Sequence, residues 1–198
     1  DKIAVRMYTT AETFSGRELC GILNEALRKD QVEHAVVMAR VLNSFCVTGR
    51  QPGSRHIRWP ADQKVYRGGG LPPRHRHFFI PGRQYRVPMF LSTSGKKGVT
   101  VEFMERQTEE PILWTIELDP RGCKHVNFID RHDGSLNMRP NTPAEDEFLF
   151  APYSAFTVQS VAWQPVPSTA QPHEIVLAGR LRQPRRLRRP APRPLGVD

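Results

Sequence analysis

Apolar residues recur at helical spacing in the first quarter of the chain. One apolar stripe runs over residues 19–27 and a second runs over residues 32–46. Stripes of this period predict two helices that pack on a core. Ser15 with Glu18, and Asp30 with Glu33, match the capping-box pattern, so we expect the two helices to start there.

From residue 64 onward, the apolar positions fall in the short runs that are typical of strands. We predict strands over residues 64–67, 82–94, 112–118, 125–129, 147–150, 155–163 and 174–177. Residues 3–8 are interpreted as a short opening strand or extended lead-in, and the three glycines at 68–70 as a flexible turn. Because the strands follow the helices without alternating with them, the sequence predicts an α+β domain with a mainly antiparallel sheet.

The charge is unevenly distributed along the chain. The net charge is +9, and residues 180–198 contain seven arginines and one aspartate, which leaves +3 for residues 1–179. We therefore predict one domain over residues 1–180, large enough to be a catalytic domain, and an Arg/Pro-rich disordered tail or linker over residues 181–198. The tail, over residues 180–194, is the one segment in which contact with nucleic acid is expected.

Several classes of protein do not fit the sequence. No run approaches the roughly 18 apolar residues of a membrane span, and the N-terminus does not resemble a signal peptide. Three widely spaced cysteines form no CxxC pair, which favours a reducing, cytoplasmic compartment. His75 and His77 have no third ligand at a suitable spacing, so we predict no metal site.

Three short segments carry the candidate chemistry. They are residues 65–69 (Val-Tyr-Arg-Gly-Gly), 90–94 (Phe-Leu-Ser-Thr-Ser) and 145–150 (Glu-Asp-Glu-Phe-Leu-Phe). Each combines apolar residues that suit a strand with polar residues that a strand edge would present to a cleft. An arginine, a Ser/Thr cluster and a Glu-x-Glu, in that order, suit a phosphate-bearing ligand whose sugar develops positive charge.

Together the three segments resemble the mono-ADP-ribosyltransferases of the Arg-Ser-Glu class, which include cholera-toxin-like and vertebrate ecto-transferases. The resemblance covers residues 3–162 and includes the helical phrase at residues 23–28. It implies an ADP-ribosyltransferase-like fold, with N-terminal helices packed on two small, mainly antiparallel sheets around an NAD cleft. It also implies a short helix at 99–106, NAD as co-substrate and an acceptor protein with an accessible arginine.

The resemblance also implies roles for the residues of the third segment. Glu147 would stabilise the oxocarbenium-like transition state, because a carboxylate opposes the charge that develops on the ribose. Glu145 would orient an incoming arginine guanidinium and help to deprotonate it. Since residues two apart on a strand share a face, both carboxylates would line one cleft.

The other implied roles concern NAD binding. Arg67 would contact the phosphates or the adenosine-side ribose, and Ser92 would hold Glu147 and the nicotinamide ribose in place. Gly68, Thr93 and Ser94 would support the same site. Phe79, or its neighbour Phe78, would stack on nicotinamide. In the loop over residues 130–144, Asn137 and Arg139 would contact the target protein.

Three alternative functions remain open at this point. The same residues would serve an NAD glycohydrolase, in which water replaces the acceptor. A catalytically silent binding module would keep the fold alone, although the intact Arg67, Ser92 and Glu147 argue against it. A basic RNA- or DNA-associated protein would depend on the tail, because no nucleic-acid-binding motif occurs within the domain.

Overall fold

The computed structural model describes residues 2–9, 13–44, 60–119, 125–129 and 146–179. Its α-helices over these ranges are α1 (Lys2–Thr9), α2 (Leu19–Arg28), α3 (Val32–Asn43) and α4 (Thr100–Glu105). Its strands there are β1 (Thr13–Phe14), β2 (Arg17–Glu18), β3 (Lys64–Leu71), β4 (Gln84–Val87), β5 (Leu91–Ser94), β6 (Glu110–Leu118), β7 (Val126–Ile129), β8 (Glu147–Phe150), β9 (Ser154–Ala162) and β10 (His173–Gly179). Two short 3₁₀ helices cover Pro73–Phe78 and Lys97–Val99.

Eight of these strands form one sheet in the order β4-β9-β10-β6-β3-β5-β8-β7, and β1 with β2 forms a separate hairpin. All neighbours pair antiparallel except β6 and β10. β3 and β5 are joined at a single residue pair, Tyr66 with Ser94. The sheet is therefore two blocks, one of five strands and one of three, that meet at a seam. The predicted α+β fold with mainly antiparallel strands is confirmed.

The three-strand block β5-β8-β7 has both faces covered. Phe148 and Phe150 of β8 pack in one core together with residues of the five-strand block. Leu149 packs on the other side, in the core that includes the helices. Because side chains alternate along a strand, Glu147 shares the face of Leu149 and points toward the helices. The Glu147 carboxylate therefore lies where side chains of the helices can reach it.

The predicted opening strand at residues 3–8 is wrong, because this segment forms α1. Val5 and Tyr8 are one helical turn apart, and both are buried with residues of α2 and α3. The short apolar run is compatible with either structure on its own, and packing on the neighbouring helices decides in favour of a helix.

The helix starts predicted from the two capping boxes are also wrong, although both helices exist. α2 begins at Leu19 and α3 at Val32, and neither has a side-chain cap. Ser15 and Asp30 instead adopt positive φ angles of 52° and 57°. A capping residue needs an extended backbone, so these residues serve as turn residues.

The three glycines do not form the predicted flexible turn; they lie within β3. A Cβ atom added at Gly68 would lie 2.1 Å from the carbonyl oxygen of Thr100, at the start of α4. At Gly70, the added atom would lie 2.9 Å from the Cβ of Gln107. Glycine therefore lets α4 and the segment after it lie directly against the strand.

The remaining strand predictions are confirmed with adjusted ends. The run over residues 82–94 divides into β4 and β5, and α4 confirms the short helix that the resemblance implies. Over the described ranges, no helix has the length and apolar character needed to cross a bilayer. The loop over 130–144, the tail over 181–198 and residues Cys46 and Cys123 lie outside the described ranges.

Candidate active site

Ser92 and Glu147 meet on neighbouring strands. In the β5–β8 register, Ser94 lies opposite Glu147 and Ser92 lies opposite Leu149. Ser92 and Glu147 are therefore diagonal neighbours on one face of the sheet. The Ser92 hydroxyl donates a hydrogen bond of 2.6 Å to Glu147 Oε1. Glu147 is only 5% exposed, so the carboxylate is held in one orientation away from bulk water.

Arg67 reaches the same serine from β3. Its Nη1 donates a hydrogen bond of 2.7 Å to the Ser92 carbonyl oxygen, across the seam between the two blocks. Burial lowers the pKa of Arg67, and the nearby charge of Arg28 lowers it further. A guanidinium has five N–H donors and stays protonated in proteins, so most of its donors are left for a ligand. We call Arg67, Ser92 and Glu147 the Ser92 group.

The Ser92 group keeps its opposite charges apart. No ion pair joins Arg67 to Glu147, two residues that the structure describes, because each is bonded to Ser92 instead. A partly buried cation and a buried carboxylate that do not form an ion pair with each other can each act on a bound ligand. This arrangement suits a ligand with an anionic part and a part that becomes cationic.

Tyr8 and Asn24 also belong to this region, and the sequence reasoning missed both. The Asn24 amide donates a 2.9 Å hydrogen bond to the Tyr8 hydroxyl and accepts one of 3.1 Å from the backbone N–H of Phe90. Burial raises the pKa of Tyr8, as do the nearby Cys20 and Glu147. A polar Asn24 within the apolar stripe of α2 is the signal that could have identified this contact.

Arg28 extends the positive charge toward the surface. It lies at the exposed C-terminal end of α2, and its Nη1 is 3.0 Å from the Met89 sulfur. Its effect on the pKa of Arg67 shows that the two guanidinium groups act on one region. Two nearby cations from different elements suit a diphosphate, whose charge is also spread over two centres.

Cys20 lies at the edge of the site but does not have the properties of a nucleophile. Burial, together with a 3.4 Å contact to a Glu18 carboxylate oxygen, raises the pKa of this thiol to about 11. The thiolate is the reactive form of cysteine, and it is scarce at neutral pH when the pKa is this high. Its role is packing between α2 and the sheet.

Three residues predicted to support NAD binding have internal contacts in the structure. The Thr93 hydroxyl donates to the Phe148 carbonyl oxygen at 2.9 Å, and the Ser94 hydroxyl accepts from the Lys96 N–H at 2.9 Å. Gly68 is buried beneath α4. These contacts fix the strands that carry Arg67, Ser92 and Glu147.

Phe79 lies among other aromatic residues in the structure. Its ring packs edge-on against Phe78 and Tyr85, with centroid distances of 5.1 Å and 5.9 Å. Tyr85 lies on β4, an edge strand of the sheet. Glu145 lies outside the described residues. Among the described side chains, no group of three or more His, Cys, Asp or Glu residues could hold a metal ion.

Comparison of the chain with known proteins gives matches in structure alone. No family model and no curated protein sequence matches it. The Vis toxin from Vibrio splendidus, an ADP-ribosyltransferase, superposes with a TM-score of 0.61 at 17% identity, covering 89% of this chain and 71% of the toxin chain. C3stau2 from S. aureus, solved with NAD, superposes with a TM-score of 0.57 at 19% identity, covering 89% and 84%. The chain has the ADP-ribosyltransferase fold.

A third structure with the ADP-ribosyltransferase fold is exoenzyme S from Pseudomonas aeruginosa, solved with human 14-3-3 protein beta and carba-NAD. It superposes with a TM-score of 0.57 at 16% identity and covers 90% of this chain and 72% of its own. In the present chain, the fold places the Ser92 group at the seam between the two sheet blocks, beneath the N-terminal helices.

Proposed function

We propose that this protein is a mono-ADP-ribosyltransferase that transfers ADP-ribose from NAD to an arginine side chain of an acceptor protein and releases nicotinamide. The observation that carries the proposal is the Ser92 group. One serine holds a partly buried guanidinium through its carbonyl oxygen and a buried carboxylate through its hydroxyl. NAD has an anionic diphosphate that the guanidinium can bind and a ribose, which becomes cationic, that the carboxylate can stabilise.

Arg67 and Arg28 would bind the diphosphate of NAD. Arg67 donates one N–H to the protein, and its planar fork of remaining donors can meet two phosphate oxygens at once. The solved complexes of C3stau2 with NAD and of exoenzyme S with carba-NAD support this choice of ligand.

Glu147 would act on the ribose. As the bond between ribose C1′ and the nicotinamide nitrogen breaks, its electron pair goes to the nitrogen and neutralises the pyridinium ring. The positive charge left on C1′ and the ring oxygen is opposed by the carboxylate that Ser92 orients. Such preorganised electrostatic stabilisation acts most strongly in a site that excludes water, as the 5% exposure of Glu147 indicates.

The acceptor step would follow on the opened C1′. A guanidinium nitrogen of the acceptor forms the new bond to C1′ and loses one proton, for which Glu145 is the proposed base. An arginine is otherwise fully protonated and a poor nucleophile, so the reaction needs a carboxylate at this point. The Vis toxin has also been solved in complex with agmatine, which carries the guanidinium of arginine.

The test uses NAD labelled in its adenosine half and agmatine as the acceptor. Wild type, Glu147→Ala and Glu145→Gln are compared, with Glu117→Gln as the control. Glu117 is an exposed carboxylate on β6, where it pairs with Lys64 at 3.8 Å. We expect Glu147→Ala to lower agmatine labelling about 100- to 1000-fold. Glu145→Gln should lose transfer but keep NAD hydrolysis, and Glu117→Gln should behave as wild type.

Other outcomes would change the assignment. Free ADP-ribose without labelled agmatine would replace the proposal by an NAD glycohydrolase or a transferase with another acceptor. No NAD turnover by a folded wild-type protein would overturn the enzymatic function.

A further inference from the structure

The middle of the chain has an unusual charge distribution. Residues 63–101 contain eight lysines and arginines and no aspartate or glutamate. Of these basic residues, Arg67 belongs to the candidate site. The others that form ion pairs are Lys64 with Glu117, Arg76 with Glu110, Lys96 with Asp146 and Lys97 with Glu174. What remains is concentrated around the 3₁₀ helix at Pro73–Phe78 and the strand β4.

The backbone explains which of these side chains face outward. In a 3₁₀ helix, residues three apart share a side. Arg76 and Phe79 are partly buried on the inner side, while their neighbours are exposed. On β4, Tyr85 and Val87 pack on the core, so Gln84 and Arg86 face outward. The exposed basic and aromatic residues here, which we call the basic edge, are Arg74, His75, His77, Phe78, Arg83 and Arg86.

No carboxylate of the residues that the structure describes forms an ion pair with the arginines of the basic edge. Arg83 donates to the Phe78 carbonyl oxygen at 2.7 Å and lies over the Phe78 ring at 5.3 Å. Arg74 and Arg86 form no ion pair with any residue in the described ranges. By contrast, Arg106 on the surface near α4 also lies over a phenylalanine ring but pairs with Glu102 at 3.5 Å.

The basic edge is within reach of the candidate site. Arg86 and Ser92 are six residues apart, so their Cα atoms are separated by at most about 20 Å, the span of an extended chain of that length. β4 is an edge strand of the sheet. Its last residue, Val87, accepts a 2.6 Å hydrogen bond from the N–H of Tyr153, which follows β8. A bound protein of ordinary size would cover both places.

We propose that the basic edge docks an acidic segment of the acceptor protein and thereby favours arginines that lie near acidic residues. This inference depends on the proposed transferase function. Arginines with no carboxylate partner attract carboxylates and bind them in bidentate geometry. Phe78 is 37% exposed and Ile80 is 49% exposed beside these arginines. Exposed apolar side chains next to arginines are typical of protein interfaces, which favours a protein over a nucleic acid.

The test compares two peptide acceptors. Each has one arginine, a spacer of about ten Gly/Ser residues, which spans roughly 17 Å, and a block of either eight glutamates or eight glutamines. Wild type should modify the glutamate peptide with a kcat/KM about three- to tenfold higher than the glutamine peptide. Salt at 0.5 M should remove the preference.

The double substitution Arg83→Glu/Arg86→Glu should abolish the preference and leave agmatine labelling unchanged. Arg106→Glu is the matched control, because it reverses the charge of an arginine that also lies over a phenylalanine, and it should keep the preference. Equal kcat/KM for the two peptides in wild type would overturn the inference. So would a preference that survives in Arg83→Glu/Arg86→Glu.

Two further readouts distinguish a failure of this inference from a failure of the proposed transferase function. If agmatine is not labelled by any variant, the transferase function fails, and fluorescence anisotropy of the labelled glutamate peptide still tests the basic edge. If a single-stranded oligonucleotide binds in a manner sensitive to Arg83→Glu/Arg86→Glu while the glutamate peptide does not bind, the occupant is nucleic acid and the proposal is wrong.

Discussion

Two polar groups in this molecule are built from similar residues and differ in how their charges are paired. The Ser92 group has an arginine and a glutamate that contact the same serine and not each other. The second group, which we call the Arg76 cluster, consists of Arg76, Glu110, Trp163 and His173. Here the arginine and the glutamate are in direct contact.

The charged groups of the Arg76 cluster contact one another, although the buried Nε of Arg76 has no hydrogen-bond partner among the described residues. His173 is fully buried; its Nδ1 accepts the Gln164 N–H at 2.9 Å, so Nε2 carries the proton and faces Glu110 Oε2 at 3.3 Å. Arg76 also lies 5.6 Å from the centroid of Trp163. The cluster ties the 3₁₀ helix to the starts of β6 and β10. Opposite charges in direct contact stabilise a fold, whereas the arginine and the glutamate of the Ser92 group are each bonded to Ser92.

The largest expected difference comes from removing the central residue of each group. His173→Ala should lower the free energy of unfolding by about 2–5 kcal/mol, as for other fully buried side chains of similar size. Ser92→Ala should cost far less stability but lower kcat for NAD turnover about 10- to 100-fold, because Glu147 loses its orienting hydrogen bond. Urea denaturation and agmatine labelling measure the two effects. A Ser92→Ala protein with full activity would contradict the comparison.

The two arginines should differ in the same way. Arg67→Ala should weaken NAD binding about 10- to 100-fold, since charge-assisted hydrogen bonds to phosphate are lost. Arg76→Ala should leave NAD affinity unchanged and lower the melting temperature. Calorimetric titration with NAD and thermal denaturation of both variants test this pair. A loss of NAD affinity in Arg76→Ala would show that the Arg76 cluster serves the site.

Gly68, next to Arg67, tests how much the close packing of α4 on β3 contributes to stability. Gly68→Ala should destabilise the fold by about 1–3 kcal/mol, because its Cβ would meet the Thr100 carbonyl oxygen and push α4 off β3. Gly98→Ala is the control, since a Cβ there meets nothing within 4 Å. Thermal denaturation of both variants decides; equal stability would mean that α4 shifts without cost.

The smallest expected effect is a pH dependence of the Arg76 cluster. The contact with Arg76 lowers the pKa of Glu110 below its usual value of 4.5, and the contact with His173 adds to this. A depressed carboxyl pKa contributes stability above the unfolded pKa and loses it as the pH falls through the folded pKa. Glu110→Gln should therefore lower the melting temperature slightly at pH 7, and the deficit should be smaller near pH 3. An equal deficit at both pH values would assign the effect to packing.

The sequence predicted most strands well, because a strand depends on local pattern. Arg67, Ser92 and Glu147 each sit next to apolar residues that alternate correctly for a buried strand. Their contacts with one another depend on the β3–β5 and β5–β8 registers, which join strands that lie far apart along the chain. Local spacing does not contain that information, and the resemblance to a family supplied it.

The failures have a common physical cause. Ser15 and Asp30 have side chains that suit a helix cap, but tertiary structure placed them in turns with positive φ. The glycines at 68–70 suit a flexible turn, but they lie in β3, where their lack of a side chain lets α4 and the segment after it pack against the strand. Tyr8 looked like part of a strand until α1 brought it beside Glu147. In each case long-range packing overrode a local preference.

Ser92 also affects how this protein can evolve. The carbonyl oxygen that contacts Arg67 belongs to the backbone, so every amino acid at position 92 supplies it. The hydroxyl that orients Glu147 belongs to the side chain and is removed by most single substitutions. A substitution at position 92 therefore affects the contact with Glu147 more readily than the contact with Arg67. One substitution at this position could remove the contact with Glu147 and keep the contact with Arg67, so that under the proposed function this serine separates the loss of catalysis from the loss of NAD binding.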